Sequence, residues 1–320
     1  MKIGKNVFVT GGAGFIGSHL IDRLIENHNV TVYDNLSSGK KEFISQHFDK
    51  KKFSFIKSDL LDTKKLKNTM REQDFVFHFA ANSDVRLGAE KTDIPLKQNT
   101  IATYNVLESM RLNDVKNIMF PSSCTVYGEA EVTPIPENYG PMIPVSLYGA
   151  SKLASEGLIS AYCSMFGMNA WVFRFANIVG SRGTHGVIFD FIKKLKNNAD
   201  ELEILGDGKQ TKSYLYVDDC LDVMLFAVEY SSDNINIFNL GSDDRINVDK
   251  IANIVVEEMN LKNVKFKHTG GSRGWKGDIP KIMLSIEKIE KLGWKPRYNS
   301  EKAVRMTVKA LIKEIGRAHV

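Results

Sequence analysis

The sequence predicts an α/β fold, a doubly wound parallel sheet with a smaller α/β lobe interwoven on its C-terminal side. Two observations carry this. Short apolar runs rich in valine, isoleucine and phenylalanine alternate with stretches of helical period through the first half of the chain. The first handover from such a run to a helix is made by Gly11-Gly12-Ala13-Gly14-Phe15-Ile16-Gly17, where a strand–turn–helix unit binds phosphate groups.

Taken in order, Asn6–Thr10 reads as a buried parallel strand, Ser18–Glu26 as a helix, and Val30–Tyr33 as a second strand ending at Asp34. This is the order of a Rossmann-type dinucleotide site. Gly11 allows the tight turn, Gly14 lets the backbone approach a pyrophosphate, and Gly17 permits close helix–strand packing. The helix N-terminus then faces the phosphates. Asp34 follows the glycines at about twenty residues, placed to accept hydrogen bonds from the adenosine ribose hydroxyls. Its charge would repel a 2′-phosphate, so the expected cofactor is NAD rather than NADP.

The alternation continues with a strand at Phe53–Lys57, leading to Asp59-Leu60, where an adenine edge would be contacted. A helix follows over Leu66–Arg71, then a strand over Phe75–Phe79 that closes in Ala80-Ala81, small residues leaving space for a cofactor. Ile94–Met110 reads as one long helix carrying Asn99, and Asn117–Pro121 as a strand running into Ser122-Ser123-Cys124-Thr125-Val126-Tyr127-Gly128. Leu147–Phe166 reads as a helix and Ala170–Phe175 as a strand ending in Ala176-Asn177.

Beyond that point the pattern loosens. A helix at Val187–Lys196 precedes short strands at Leu202–Leu205 and Ser213–Tyr216, and a helix at Asp218–Glu229 has Asp218 or Asp219 as its expected N-cap. Ile235–Asn239 is expected to return to the main sheet, and Val248–Met259, Val264–His268 and Glu301–Ile315 to build the smaller lobe. The expected division is a dinucleotide-binding domain over residues 1–176, rejoined by about 214–242, and a substrate lobe over 177–320.

Composition narrows the function classes. A chain of 320 residues can bury a sizeable core, and its formal net charge of +5 is spread along the sequence. The densest basic cluster, Lys40-Lys41 with Lys50-Lys51-Lys52, has no interleaved aromatic platform, which argues against a nucleic-acid partner. Three scattered cysteines, Cys124, Cys163 and Cys220, offer no disulfide framework or zinc spacing and fit a reducing compartment. The longest apolar run, Val223 to Val228, is too short to span a bilayer, and the N-terminus leads directly into a strand. A soluble, cytoplasmic protein without a metal site is expected. The histidines show no ligand spacing, and Asp218-Asp219 reads as a helix cap.

The chemistry centres on Tyr148-Gly149-Ala150-Ser151-Lys152. A tyrosine and a lysine four apart on a helix share one face. Making a phenol half-ionised at neutral pH means offsetting about 4 kcal/mol, and a nearby ammonium beside a cationic nicotinamide favours the phenolate. The result is a general base suited to a sugar hydroxyl. Alone, such a pair is usually an ordinary helix face; the glycine turn and the serine-rich turn upstream raise it above that.

Together the glycine motif, the Ser123 segment and Tyr148-x-x-x-Lys152 resemble the extended short-chain dehydrogenase/reductase superfamily. Within it the chain resembles the NAD-dependent epimerase/dehydratase family and its UDP-glucose 4-epimerase group, from about Ile3 to Trp294. The resemblance implies that Ser123 hydrogen-bonds the sugar's 4-hydroxyl, that Tyr148 is the acid/base, and that Lys152 binds the nicotinamide ribose and depresses the tyrosine pKa. It implies cofactor contacts from Gly11, Gly14, Phe15, Ile16, Gly17, Asp34, Asn35, Ser38 and Gly39, and further along from Asp59, Leu60, Phe79, Ala80, Ala81, Asn99 and Phe175. For the UDP-sugar substrate it implies Asn177, Val187, Lys212, Arg273 and Asp278. A homodimer built on the Ile94–Met110 and Leu147–Phe166 helices is implied as well.

Four departures from the family pattern bear on the choice of sugar. Thr211-Lys212-Ser213 stands where an arginine followed by aspartate is usual, and lysine keeps a charge but not the bidentate fork. Arg273 precedes Trp275-Lys276-Gly277-Asp278, displaced from an Arg-x-Gly-Asp pattern. Phe175-Ala176 replaces a pair of aromatics, and Ile282 stands near the place of a bulky tyrosine. The function expected is inversion at C4 of a UDP-hexose through a transient 4-keto sugar. The alternatives are a dehydratase, decarboxylase or net dehydrogenase of the same superfamily and, more remotely, a non-catalytic NAD-sensing module.

Overall fold

The apolar runs pair side by side in the computed structural model, which describes residues 2–275 and 277–317. Its strands β1 (Asn6–Thr10), β2 (Asn29–Asp34), β3 (Phe53–Lys57), β4 (Phe75–His78), β5 (Asn117–Ser123) and β6 (Asn169–Phe175) belong to a seven-stranded sheet. They lie in the order β3-β2-β1-β4-β5-β6, with Ile235–Leu240 on the β6 edge. β1 pairs in parallel with both β2 and β4, so the strand order reverses there. Ligands bind outside the carboxyl ends of strands at such a switch point.

The buried faces explain the near-continuous apolar character of β1, β4, β5 and β6, since a parallel sheet covered on both sides has no wet face there. Phe8, Val76, Ile118 and Val172 from the sheet pack with Val106, Leu107, Met110 and Ile159 from the helices Ala102–Leu112 and Leu147–Phe166. The second of these helices starts where it does because the Ser146 hydroxyl accepts the Gly149 amide. It stops at Gly167, whose φ of 62° suits the left-handed cap that glycine adopts without cost. Tyr148 thereby falls in its first turn.

The helix expected over Ile94–Met110 is present as one continuous helical run but is not uniform. Asp93–Pro95 makes one short turn, Leu96–Ile101 is a π-helical turn, and a regular α-helix runs only over Ala102–Leu112. A π-turn inserts one residue into the helical ladder and is common at functional sites; this one carries Asn99, which is buried. The capping role expected for Asp218 or Asp219 is also corrected. Both lie inside the first turn of the Val217–Tyr230 helix, and the buried Asp219 carboxylate accepts the backbone and side-chain N–H groups of Arg297.

The chain divides into two compact units. The first comprises residues up to Gly128, Gly140–Arg174 and Val223–Phe238, and the second Glu129–Tyr139, Phe175–Asp222 and the chain from Asn239 onward. In the second unit Asn177–Val179 pairs in parallel with Tyr214–Tyr216, Glu201–Ile204 in parallel with Lys265–His268, and Thr211–Lys212 antiparallel with Ile246–Asn247. The strand expected over Ser213–Tyr216 forms, over Tyr214–Tyr216, half of the first of these ribbons. The unit's core joins Ile188, Phe191 and Ile192 with Ile251, Ile254 and Val255 and with Val304, Val308 and Leu311, from three amphipathic helices. No described helix is long and apolar enough to cross a membrane.

Candidate active site

Gly11 follows β1 directly, opposite the segment that follows β4. Its φ is 67°, and a Cβ there would stand 2.5 Å from the Ala80 backbone nitrogen. A Cβ on Gly17 would stand 2.4 Å from the Gly11 carbonyl oxygen, so helix and turn meet backbone to backbone. Gly14 differs: a Cβ there would meet only the Gly11 oxygen, at 3.2 Å, and no side chain caps the Phe15–Leu24 helix that it opens. An open backbone at an uncapped N-terminus of this length is a cradle for phosphate groups.

Asp34 ends β2 with its carboxylate buried. Oδ2 accepts the Ala13 amide at 3.0 Å and Oδ1 the Leu36 amide at 2.8 Å, joining the glycine turn to the strand end. Burial raises its pKa, and the two amides work against that rise. A carboxylate offers about four acceptor positions, so two remain for a ribose diol. Nearby, Asn35 Nδ2 donates to Asp59 Oδ2 at 2.8 Å, Gly39 packs closely on Ala13, and Ser38 is exposed. Leu60 is buried, and its carbonyl accepts from Asn105. Phe15 and Ile16 are half-buried at the helix start. Titrating the protein stripped of nucleotide should show NAD bound at least about 100-fold more tightly than NADP, because a 2′-phosphate would face the Asp34 carboxylate. Equal affinities would remove Asp34 from that role.

At the end of β4, Phe79 N donates to the Thr10 carbonyl and Ala80 N to Thr10 Oγ1, and Ala81 is half-buried beside them. His78, absent from the sequence reading, organises this corner. Its Nδ1 lies 2.7 Å from Thr10 Oγ1 and its Nε2 3.0 Å from Thr103 Oγ1. Burial, with the Lys152 charge adding to it, pulls His78 down to about 3, so the ring is neutral.

Asn99 has its amide fully occupied. Its Oδ1 accepts the Asn82 amide at 2.8 Å, and its Nδ2 donates to the Asn82 carbonyl and to Ser151 Oγ. Ser151 Oγ in turn donates to the Tyr148 carbonyl at 2.8 Å. The π-turn thus ties the segment after β4 to the helix turn that carries the tyrosine.

Tyr148 is half-buried, with the Ser123 side chain near its phenol. Ser123 Oγ accepts the amide of Thr125 at 3.2 Å and its hydroxyl at 3.0 Å. Lys152 is buried; its Nζ donates to the Pro121 carbonyl at 2.8 Å and sits 4.5 Å from the Phe120 ring centroid and 6.0 Å from that of Tyr148. Burial raises the Tyr148 pKa above its ordinary value; the Cys124 thiolate would add to this, and the nearby Ser123 hydroxyl opposes it. Burial also pulls Lys152 down to about 7, against the Glu156 charge. Without a bound cofactor, then, the phenol is held protonated. The lysine carries only part of its charge at neutral pH and does not by itself outweigh the cost of desolvating a phenolate.

In the second unit, Lys212 Nζ donates to Asp278 Oδ1 at 2.6 Å and lies 5.1 Å from the Trp275 ring centroid. Arg273 NH1 donates to the Asp278 carbonyl, and NH2 pairs with Glu129 at 2.8 Å. Lys212, Arg273 and Asp278 are thus brought together, with Trp275 as a platform that the residue pattern had registered only as a departure; Lys276 lies outside the described residues. Asn177 Nδ2 donates to the Ser213 carbonyl, next to Lys212 in the chain. Phe175 is buried and Val187 packs on the unit's apolar core. Ile282 is buried too. Among the described residues no cluster of three or more His, Cys, Asp or Glu side chains is arranged to hold a metal ion.

The model of the NAD dependent epimerase/dehydratase family matches residues 7–241. The chain belongs to this family. Its cofactor is NAD, and the glycine turn, the uncapped helix and Asp34 fit it. A putative UDP-glucose 4-epimerase of Methanocaldococcus jannaschii is 35% identical over 94% of this chain and 97% of its own. A solved UDP-galactose 4-epimerase is 40% identical, covers 97% of this chain and 99% of its own, and has a TM-score of 0.87. The UDP-glucose 4-epimerase of Thermotoga maritima, solved with UDP-glucose, is 33% identical over 97% of this chain and 99% of its own, with a TM-score of 0.86. The family includes epimerases and dehydratases, so residues must distinguish them.

Proposed function

We propose that this family member inverts C4 of a UDP-hexose through a transient 4-keto sugar. The observation that carries the reading is the grouping of Ser123, at the end of β5, with the Tyr148 phenol and the buried Lys152 one helical turn on. Tyr148 takes the proton of the 4-hydroxyl and later returns it, while Ser123 orients that hydroxyl. NAD supplies a hydride acceptor that gives the hydride back, so there is no net redox change. Lys152 favours the phenolate, and the positive charge of the oxidised cofactor adds to its effect. Binding energy from the nucleotide, held by Asn177, Lys212, Arg273 and Asp278, keeps the keto sugar in place while it presents its other face.

Dehydration needs further acid/base groups to remove a C5 proton and expel the 6-hydroxyl. The residues after Ser123 are Cys124 and Thr125, neither a carboxylate, and Thr125 Oγ1 is spent on Ser123 Oγ. Glu129 pairs with Arg273. Incubation with UDP-glucose or UDP-galactose should give the C4 epimer at unchanged mass, read by carbohydrate analysis and mass spectrometry across a panel of UDP- and dTDP-sugars. A product lighter by one water would replace this reading with a dehydratase, and NADH accumulating with a keto sugar would indicate a net dehydrogenase.

A homodimer is part of the same reading. It is supported by exposed apolar side chains at Leu96, Tyr104 and Leu112 and at Leu147 and Met165, on the two helical segments expected to pair.

A further inference from the structure

Lys152 is approached from three elements. The Pro121 carbonyl and the Phe120 ring come from β5, His78 from β4, and Tyr148 and Glu156 from its own helix. His78 is neutral and Tyr148 protonated, so neither supplies an anion. Glu156 does, one turn beyond Lys152 on the same helix face.

Glu156 is buried and held by two residues. Arg174 Nε lies 3.1 Å from Oε1 and its NH2 2.7 Å from Oε2, a forked pair, and Ser122 Oγ donates to Oε1 at 2.5 Å. Arg174 is also buried, and its NH1 reaches Tyr127 Oη at 2.8 Å. Ser122 immediately precedes Ser123, and Tyr127 closes the same turn. One buried cluster therefore joins the tyrosine–lysine helix, both ends of the serine turn and β6.

We propose that Glu156, oriented by Arg174, is a positioning residue that favours the ammonium form of Lys152 and holds the serine turn against Tyr148. A neutral hydrogen-bonding side chain would serve packing alone. The charge matters because Lys152 is buried against a carbonyl, an aromatic face and a neutral imidazole, none of which replaces a hydrated ammonium's counter-charge. Arg174 has the opposite influence: it draws on the Glu156 carboxylate and limits how far that carboxylate can favour Lys152.

This asymmetry gives the test, which for catalysis rests on Lys152 being the partner of Tyr148. In the full-length protein loaded with NAD+ and labelled with [13Cε]lysine, the Lys152 resonance is identified by its loss in Lys152→Met and titrated against pH. Glu156→Gln should lower the Lys152 titration by about one pH unit or more, and Arg174→Met, which frees the carboxylate, should raise it. The alkaline limb of the kcat profile should move with it, to lower pH in the first variant and to higher pH in the second. A purely structural pair would shift both the same way or not at all, and either result would overturn the proposal. If a lone buried charge prevents folding, the Glu156→Gln/Arg174→Met double variant leaves neither charge. Its Lys152 should titrate below wild type, since Glu156 is the charge on its own helix face that acts on it, and an unchanged titration would equally overturn the proposal. Opposite resonance shifts with an unmoved kcat profile would support the coupling and count against Lys152 in catalysis.

Discussion

Tyr148→Phe is expected to lower kcat about 10³-fold or more, with kcat/KM falling equally and NAD affinity unchanged. The phenyl ring keeps the packing of the helix's first turn, and the cap that starts the helix uses Ser146 and Gly149 rather than the phenol. The Ser151 bond to this turn goes to the Tyr148 carbonyl, which phenylalanine retains. Only the group that exchanges a proton with substrate is lost, so the melting temperature should stay within about 2 °C. Because the phenol is held protonated in the cofactor-free protein, the wild type should lose activity on the acid side as the phenolate is protonated. The variant's residual activity should lack that limb. Retention of more than about a tenth of wild-type activity would place the base elsewhere.

The sheet was legible because its inner strands are buried and read as apolar runs, and because the glycines mark a turn where backbones meet closely. Tyr148, Lys152 and Ser123 were legible as a spacing, and the structure brings them together in one unit. Other features follow from contacts that local sequence does not encode. The π-turn at Leu96–Ile101 has the composition of an ordinary helix, and only the inward demand of Asn99's amide for Asn82 and Ser151 marks it. His78 closes an apolar run as any strand-end residue could, and its role depends on two threonines far away in sequence. Glu156 did carry a signal, four residues past Lys152 on the same face, but its partner Arg174 sits on another strand. Asp219 looked like a cap because two aspartates precede a helical pattern; the distant Arg297 instead draws its carboxylate into the fold.

Gly11→Ala is expected to cut NAD affinity at least about 100-fold and to lower the melting temperature by roughly 5–10 °C, taking about 2 °C per kcal/mol for a chain of this size. Two costs combine. The left-handed backbone at φ 67° costs an L-residue about 1–2 kcal/mol. The added methyl would also lie 2.5 Å from the Ala80 nitrogen and 2.7 Å from its Cα, atoms of main chain that cannot rotate aside. Relief requires parting the turn after β1 from the segment after β4, and Ala80 is fixed there by Thr10 Oγ1, itself bonded to His78. The displacement would therefore open the switch point where the cofactor enters. Gly14→Ala is the internal comparison: its methyl meets only one carbonyl oxygen, at 3.2 Å, and its φ of −81° suits alanine. That variant should fold with nearly unchanged stability and lose NAD affinity alone, through obstruction of the phosphates. Thermal melts with and without NAD would separate the two. Equal stability losses in both variants, or none in Gly11→Ala, would contradict the contact between Gly11 and Ala80 on which the architecture of the site depends.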